Sequence, residues 1–196
     1  MARADKSNGY EAIASIFIPG RGRSKSSVGG SVVAEWSESL PAGATILDLG
    51  CGTGIPISLT LITRGFNVYG VDASPSMIAE FRVNFPAAPA QCAAVEDSDF
   101  FGRSFDAVVA WGLFFLLTAE VQLKLIGKIA AILPGGGRLL FTATSQPCSW
   151  LDAMTERPSI SLGSDAYRAA IEAENMTLVG TYVDGGENYY YSVLKR

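Results

Sequence analysis

The sequence predicts an α/β fold built on a mostly parallel sheet with an antiparallel C-terminal edge. Two observations carry this. From Thr45 onward, short apolar runs of strand length alternate with helical stretches. The chain then finishes in two strand-like segments, "LVGTYV" and "NYYYSVL", joined by a "DGGE" turn, which is a hairpin pattern.

Taken in order, "YEAIASIF" reads as a short helix, and the glycine- and serine-rich, locally basic stretch "PGRGRSKSSVGGS" breaks it off. "SVVAEWSESL" is a second helix ending at Pro41. Residues 1–44 are therefore expected to form a helical arm or lid, and residues 45–196 the core of a single domain. "TILDLG" is a buried strand and "IPISLTLITR" a helix closed by Gly65. "NVYGVDA" is the second strand; Ser74 then caps a helix with Pro75 in its first turn, running towards Asn84. A short strand follows at "AQCAAV" and another at "FDAVVAW". A long helix over residues 119–133 puts Val121, Leu125, Ile129 and Leu133 on one face. "PGGG" ends it, "RLLFTAT" is the next strand, and an irregular stretch leads to a helix over residues 165–175.

Composition excludes several classes. The 196 residues suffice for one domain with a sizeable core, and 17 % charged residues with nearly half apolar is a folded profile. Fifteen basic against nineteen acidic residues give a net charge of −4, which disfavours a nucleic-acid partner. The apolar run "WGLFFLL" is far too short to span a bilayer, and the N-terminus has no apolar stretch of the secretory kind. Three isolated cysteines and no histidine leave no expected metal site, and the cytoplasm is the expected compartment.

The chemistry concentrates in "ILDLGCGTGIPIS". Gly50, Gly52 and Gly54 alternate directly after a strand, a backbone bare enough to turn sharply and approach a ligand closely. Ile55 stands where the dinucleotide fingerprint G-x-G-x-x-G requires its third glycine. Asp72 ends the second strand, about 20 residues beyond the first glycine, where a carboxylate can accept both hydroxyls of a ribose. Glycine run and carboxylate together read as a nucleoside site; the plain alternative is a turn with a solvated Asp.

"DLGCGTG" resembles motif I of the class I S-adenosylmethionine (SAM)-dependent methyltransferases, and "VDASPSM" resembles their second motif. "FDAVVAWGLFFLL" and "LPGGGRLLFTA" are similar to the fourth-strand region and the approach to the fifth strand, so the likeness covers residues 45–143. It implies a Rossmann-like three-layer sandwich with a seven-stranded sheet, and SAM as cofactor with S-adenosylhomocysteine (SAH) as product. It further implies that Gly50, Gly52 and the Cys51 backbone line the methionine part, that Gly54 belongs to the same cofactor loop, and that Asp48 orients the loop or reaches the amino group through water. Asp72 would hold the ribose, Ala73 and Met77 would pack near the adenine, and Ala110 or Trp111 would face the methionine amino group. The family's adenine-binding carboxylate after the third strand is replaced here by Ala94, which leaves Val95 and either Glu96 or Asp97 to meet the adenine.

"AWGLFF" lacks the Pro-Pro motif of amino-directed DNA methyltransferases, and Pro147-Cys148 follows the fifth strand, not the fourth as in cytosine-C5 enzymes. A small-molecule methyl acceptor is therefore expected, bound by loops outside the matched region. Candidates are Arg21, Arg23 and Lys25 of the arm, Trp150 and Asp152, and the 187–189 segment. Trp150 or Tyr189 would form an aromatic wall, and Glu187 would take a proton or pair with a cationic amine. Any base would be Glu, Asp, Tyr, Lys or water. A non-catalytic SAM-binding scaffold and an NAD(P)-dependent oxidoreductase are the rival readings; oligomeric state and methylated atom stay open.

Overall fold

The computed structural model describes residues 5–20, 22 and 28–196. Its elements are α1 (Ala14–Phe17), α2 (Gly30–Ser37), β1 (Thr45–Leu49), α3 (Ile57–Thr63), β2 (Asn67–Asp72), α4 (Pro75–Asn84), β3 (Ala90–Cys92) and β4 (Ala107–Ala110). They continue with α5 (Ala119–Ile132), β5 (Arg138–Thr142), β6 (Cys148–Leu151), β7 (Pro158–Ser161), α6 (Ser164–Ala173), β8 (Met176–Val183) and β9 (Tyr189–Lys195). Seven strands form one sheet in the order β3-β2-β1-β4-β5-β9-β8. β1 to β5 pair in parallel, and β9 lies antiparallel between β5 and β8.

Strand alternation sorts the core into two layers. Ile46, Ala107, Val109, Leu140 and Tyr190 face Val33 and Trp36 of α2 and Ile57 and Leu61 of α3. Leu47, Leu49, Val108, Leu139, Phe141, Tyr191 and Val193 face Leu125, Ile126 and Ile129 of α5 and Tyr167 and Ile171 of α6. α4 joins the first layer through Ile78 and Phe81, packed near Leu59 and Ile62. Phe141 stacks between Phe114 and Tyr191, at 4.3 and 4.8 Å between ring centroids, and so cements β5 to β9.

Two local expectations change. The stretch after β5 is not irregular: β6 and β7 pair as a separate two-stranded ribbon, with Trp150 opposite Ser159. On α5 the buried face includes Gln122, whose amide nitrogen donates to the Leu117 and Ile160 carbonyls while its oxygen accepts from Tyr167. Full hydrogen bonding is what admits that polar side chain to an apolar face. Among the described residues no helix is long and apolar enough to cross a membrane.

Candidate functional site

A cavity of about 470 Å³ opens at the carboxyl ends of β1, β2 and β4, where ligands bind in sheets of this topology. Its floor is the loop after β1. The Gly50 and Cys51 N–H groups both donate to the Val71 carbonyl, at 2.8 and 3.1 Å, which folds the loop back over β2. Gly52 has a φ of 53°, and a Cβ there would meet nothing within 4 Å, so its backbone faces open space on the cavity wall. Gly54 serves a different purpose. A Cβ on it would sit 2.4 Å from the Phe85 ring, and Gly54 is not on the cavity wall. The expected cofactor contact at Gly54 is thus replaced by a packing role between the glycine loop and α4.

Asp72 lines the cavity with both carboxylate oxygens already engaged, Oδ2 by the Gly52 N–H at 2.9 Å and Oδ1 by the Ser74 N–H at 2.8 Å. Each oxygen keeps a lone pair for a further donor, as two ribose hydroxyls would require. Burial pushes the Asp72 carboxyl up, against the two backbone N–H groups that favour its charge. Asp48 is deeper: it is fully buried and accepts a 2.6 Å hydrogen bond from Ser58. Burial pushes it up to about 7, with the Asp72 charge acting in the same direction and Ser58 opposing. Burial and the neighbouring Asp72 and Asp48 charges likewise raise Cys51, which stays a thiol.

Ala73 and Met77 line the cavity beyond Asp72, and Ser74 caps α4 by accepting from the Met77 N–H at 3.2 Å. Ala94, Val95 and Glu96 form the wall after β3; Asp97 is not part of it. From below, the Lys128 ammonium of α5 gathers the Val95, Glu96 and Ser98 carbonyls and so sets that loop's shape. Trp111 and Leu113 supply the wall after β4, together with Phe115, Leu116 and Leu117.

The N-terminal arm closes the other side with Lys6, Ser7, Asn8, Tyr10 and Phe17. Three tethers hold it. Lys6 pairs with Glu96 and Asp97 at 3.2 and 2.9 Å, and Tyr10 donates to Asp152 at 3.3 Å. Glu11 accepts from the Ser74 hydroxyl at 2.5 Å and from the Ser76 N–H and hydroxyl at 3.1 and 2.8 Å. The Asn8 side-chain nitrogen is buried on the cavity wall with no hydrogen-bond partner, an orphaned donor that a bound ligand would satisfy.

Of the acceptor-side residues expected from sequence, Asp152 and Asn188 line the cavity, and Trp150, Glu187 and Tyr189 do not. Trp150 does not reach the cavity; it packs behind Phe115, 5.5 Å between ring centroids, and Asp152 takes the wall position. Glu187 is an exposed turn residue, and Gly186 and Asn188 on either side of it line the cavity. Tyr189 packs on Tyr191 at 5.1 Å, on the α5–α6 face of the sheet. Period-two alternation explains the shift: Tyr190 turns to the opposite layer, and Tyr189 goes with Tyr191 into the core. Arg21, Arg23 and Lys25 lie outside the described residues. Asn8 and Tyr10 gave no signal in spacing, because the arm reaches the site only through tertiary contacts. Among the described residues no cluster of ligand-type side chains could hold a metal ion.

Residues 46–137 match the family model of the methyltransferase domain. Over that segment the chain is similar to the methyltransferase-domain family. The chain is 30% identical over 114 residues to an uncharacterized methyltransferase of Synechocystis, a match covering 58% of the chain and 53% of the relative. The chain thus spans about half the length of that curated relative. Its fold matches the 1,6-didemethyltoxoflavin-N1-methyltransferase of Burkholderia thailandensis, solved with 1,6-didemethyltoxoflavin and SAH, at a TM-score of 0.73 and 18% identity, covering 100% of this chain and 92% of that one. The amino pentose methyltransferase CalS10 of Micromonospora echinaspora, solved with SAM, aligns at a TM-score of 0.70 and 18% identity over 94% of this chain and 97% of that one.

Proposed function

We propose that the protein is a SAM-dependent methyltransferase acting on a small-molecule acceptor. The observation that carries this is Asp72, a carboxylate fixed by two backbone N–H groups at the end of β2, facing a cavity floored by bare glycine backbone. The orphaned Asn8 amide adds a donor for the polar parts of the same ligand. Ile55 at the third-glycine position argues against a dinucleotide.

Bound SAM supplies an electrophilic methyl group on a sulfonium, already a good leaving group. The chain's own contribution is positioning and exclusion of water. Asp72 and the Gly52 backbone hold the nucleoside, the Val95–Glu96 wall meets the adenine, and Trp111 and Leu113 bound the methionine side. Phe17, Phe115 and Leu116 keep the remaining space apolar. Such a wall suits an organic acceptor of modest size, and the toxoflavin and amino pentose enzymes of the same fold act on small molecules.

Calorimetry with SAM, SAH, NAD and NADP tests the reading. SAM and SAH should bind saturably, and Asp72→Ala should weaken SAH by about 1.5–3 kcal/mol through loss of charge-assisted hydrogen bonds, with Asp72→Asn weakening it less. Saturable NAD binding with no response to SAM would overturn it.

A further inference from the structure

One corner of the cavity carries a chain of polar groups that holding the cofactor does not require. The Trp111 indole N–H donates to the Tyr190 hydroxyl at 2.8 Å, and Tyr190 donates to Asp184 Oδ2 at 2.6 Å. Asp184 Oδ1 accepts the backbone N–H groups of Gly186 at 2.9 Å and Asn188 at 3.0 Å. The Asn188 side-chain nitrogen reaches both carboxylate oxygens, each at 3.0 Å. Trp111 and Asn188 line the cavity, while Tyr190 is buried behind them.

A carboxylate only accepts hydrogen bonds, so the Asn188 amide has one admissible orientation, nitrogen towards Asp184. Its Oδ1 accepts from no group among the described residues, on a half-buried side chain of the cavity wall. The rest of the corner is apolar. The Trp111 N–H is spent on Tyr190, leaving its ring, and a Cβ at Gly186 would lie 2.8 Å from the Val28 side chain. A Cβ at Gly29 would lie 2.8 Å from the Trp111 ring, so the start of α2 closes the corner from behind.

The chain fixes an orientation and supplies no base. Burial alone would raise Asp184, but hydrogen bonds from Tyr190, Asn188 and Gly186 hold it below the usual carboxylate range. Burial and the adjacent Asp184 charge push Tyr190 up, so both groups keep their protonation state across the neutral range.

We propose that Asn188 selects the methyl acceptor: its Oδ1, held by Asp184, accepts a hydrogen bond from an N–H or O–H on a neutral acceptor with an apolar body. This rests on the methyltransferase reading. Asp184 and Tyr190 are positioning residues, acting through Asn188. A charged acceptor would lose hydration against an apolar wall without gaining a free counter-charge there, whereas a neutral donor satisfies the unspent carbonyl oxygen.

The test uses the full chain saturated with SAH and matched fragment pairs: phenol and anisole, aniline and N,N-dimethylaniline, indole and 1-methylindole. Ligand-observed NMR measures each affinity in the parent, Asn188→Leu and Asp184→Asn. The parent should favour the uncapped member of at least one pair by about tenfold, the worth of one hydrogen bond. Asn188→Leu, which keeps the volume and removes the carbonyl, should bring that ratio within about twofold. Asp184→Asn, which frees the amide to turn, should reduce it part-way, and it carries the test if the leucine variant does not fold. Equal affinities in the parent, no binding of any pair at millimolar concentration, or a ratio unchanged in the folded variants overturns the proposal. SAH affinity, measured in parallel, should stay within about twofold throughout. Failure of the parent to bind SAH would overturn the methyltransferase reading and this proposal with it, whereas intact SAH binding with no fragment preference sinks only Asn188's role.

Discussion

Asp48, one residue before the end of β1, and Asp72, which ends the neighbouring parallel β2, have surroundings that give them different tasks. Asp72 lines the cavity with two backbone donors; Asp48 lines it more deeply, fully buried, and accepts a hydrogen bond from Ser58. A carboxyl raised from 3.8 to about 7 on folding makes the native state bind more protons than the unfolded chain between those values. Its contribution to stability is therefore full below the unfolded value and is lost as pH rises through the folded one. Denaturant unfolding of the parent should show stability falling between pH 5 and pH 8, and Asp48→Asn, which keeps a partner for Ser58, should flatten that slope. An identical slope in both proteins would contradict the account. The glycines separate in the same way. Gly54→Ala drives a methyl into the Phe85 ring and should cost about 2–4 kcal/mol of stability, combining overpacking with a left-handed backbone. Gly52→Ala meets only open space, so thermal melting should show a smaller loss of about 1–2 kcal/mol, with SAH binding taking the larger effect. The opposite ranking of the two melts would contradict it. The sequence distinguished neither glycine, since both sit in one alternating run; only the ring of Phe85, brought in by α4, separates them.

At the scale of elements, the arm and the β6–β7 ribbon decide how the cavity closes. Residues 5–20 touch three separate elements through Lys6, Tyr10 and Glu11, and the Glu11 carboxylate accepts three hydrogen bonds there. Burial works against its charge, yet hydrogen bonds from Ser74 and Ser76 hold Glu11 below the usual carboxylate range. Those bonds also give the N-terminus of α4 a carboxylate, which its dipole favours. Glu11→Ala should free the arm: limited proteolysis should cut within residues 5–28 several-fold faster than in the parent, and SAH should protect less well. Equal cleavage rates would show that the tether does not hold the arm. The ribbon illustrates why such elements escape a reading of the chain. "CSWL" is short and mostly exposed, and "PSIS" buries two serines, so neither carries an apolar alternation and their pairing depends on the fold around them. β1, β2, β4 and β5 were legible because burial on both faces leaves continuous apolar runs.

At the scale of the whole molecule, the cofactor half and the acceptor half differ in how their residues come together. The cofactor half is assembled from loops that each directly follow a strand, so "DLGCGTG" and "VDASPSM" could be read from local spacing. The acceptor half joins Trp111 after β4, Val28 before α2 and Asn188 before β9, three positions that meet only because β9 pairs antiparallel with β5 and β8. No spacing along the chain encodes that meeting. Of the expected acceptor residues, Asp152 and Asn188 line the cavity, while Trp150, Glu187 and Tyr189 each lie within two positions of a lining residue, in the right loops but on the wrong face. The most direct test of the central claim is a crystal structure of the protein with SAH. The account predicts the ribose hydroxyls on Asp72, the adenine beside Val95 and the homocysteine over the Gly50–Gly52 backbone, with the sulfur turned towards the Trp111–Asn188 corner. SAH bound outside this cavity, or with its ribose away from Asp72, would contradict it.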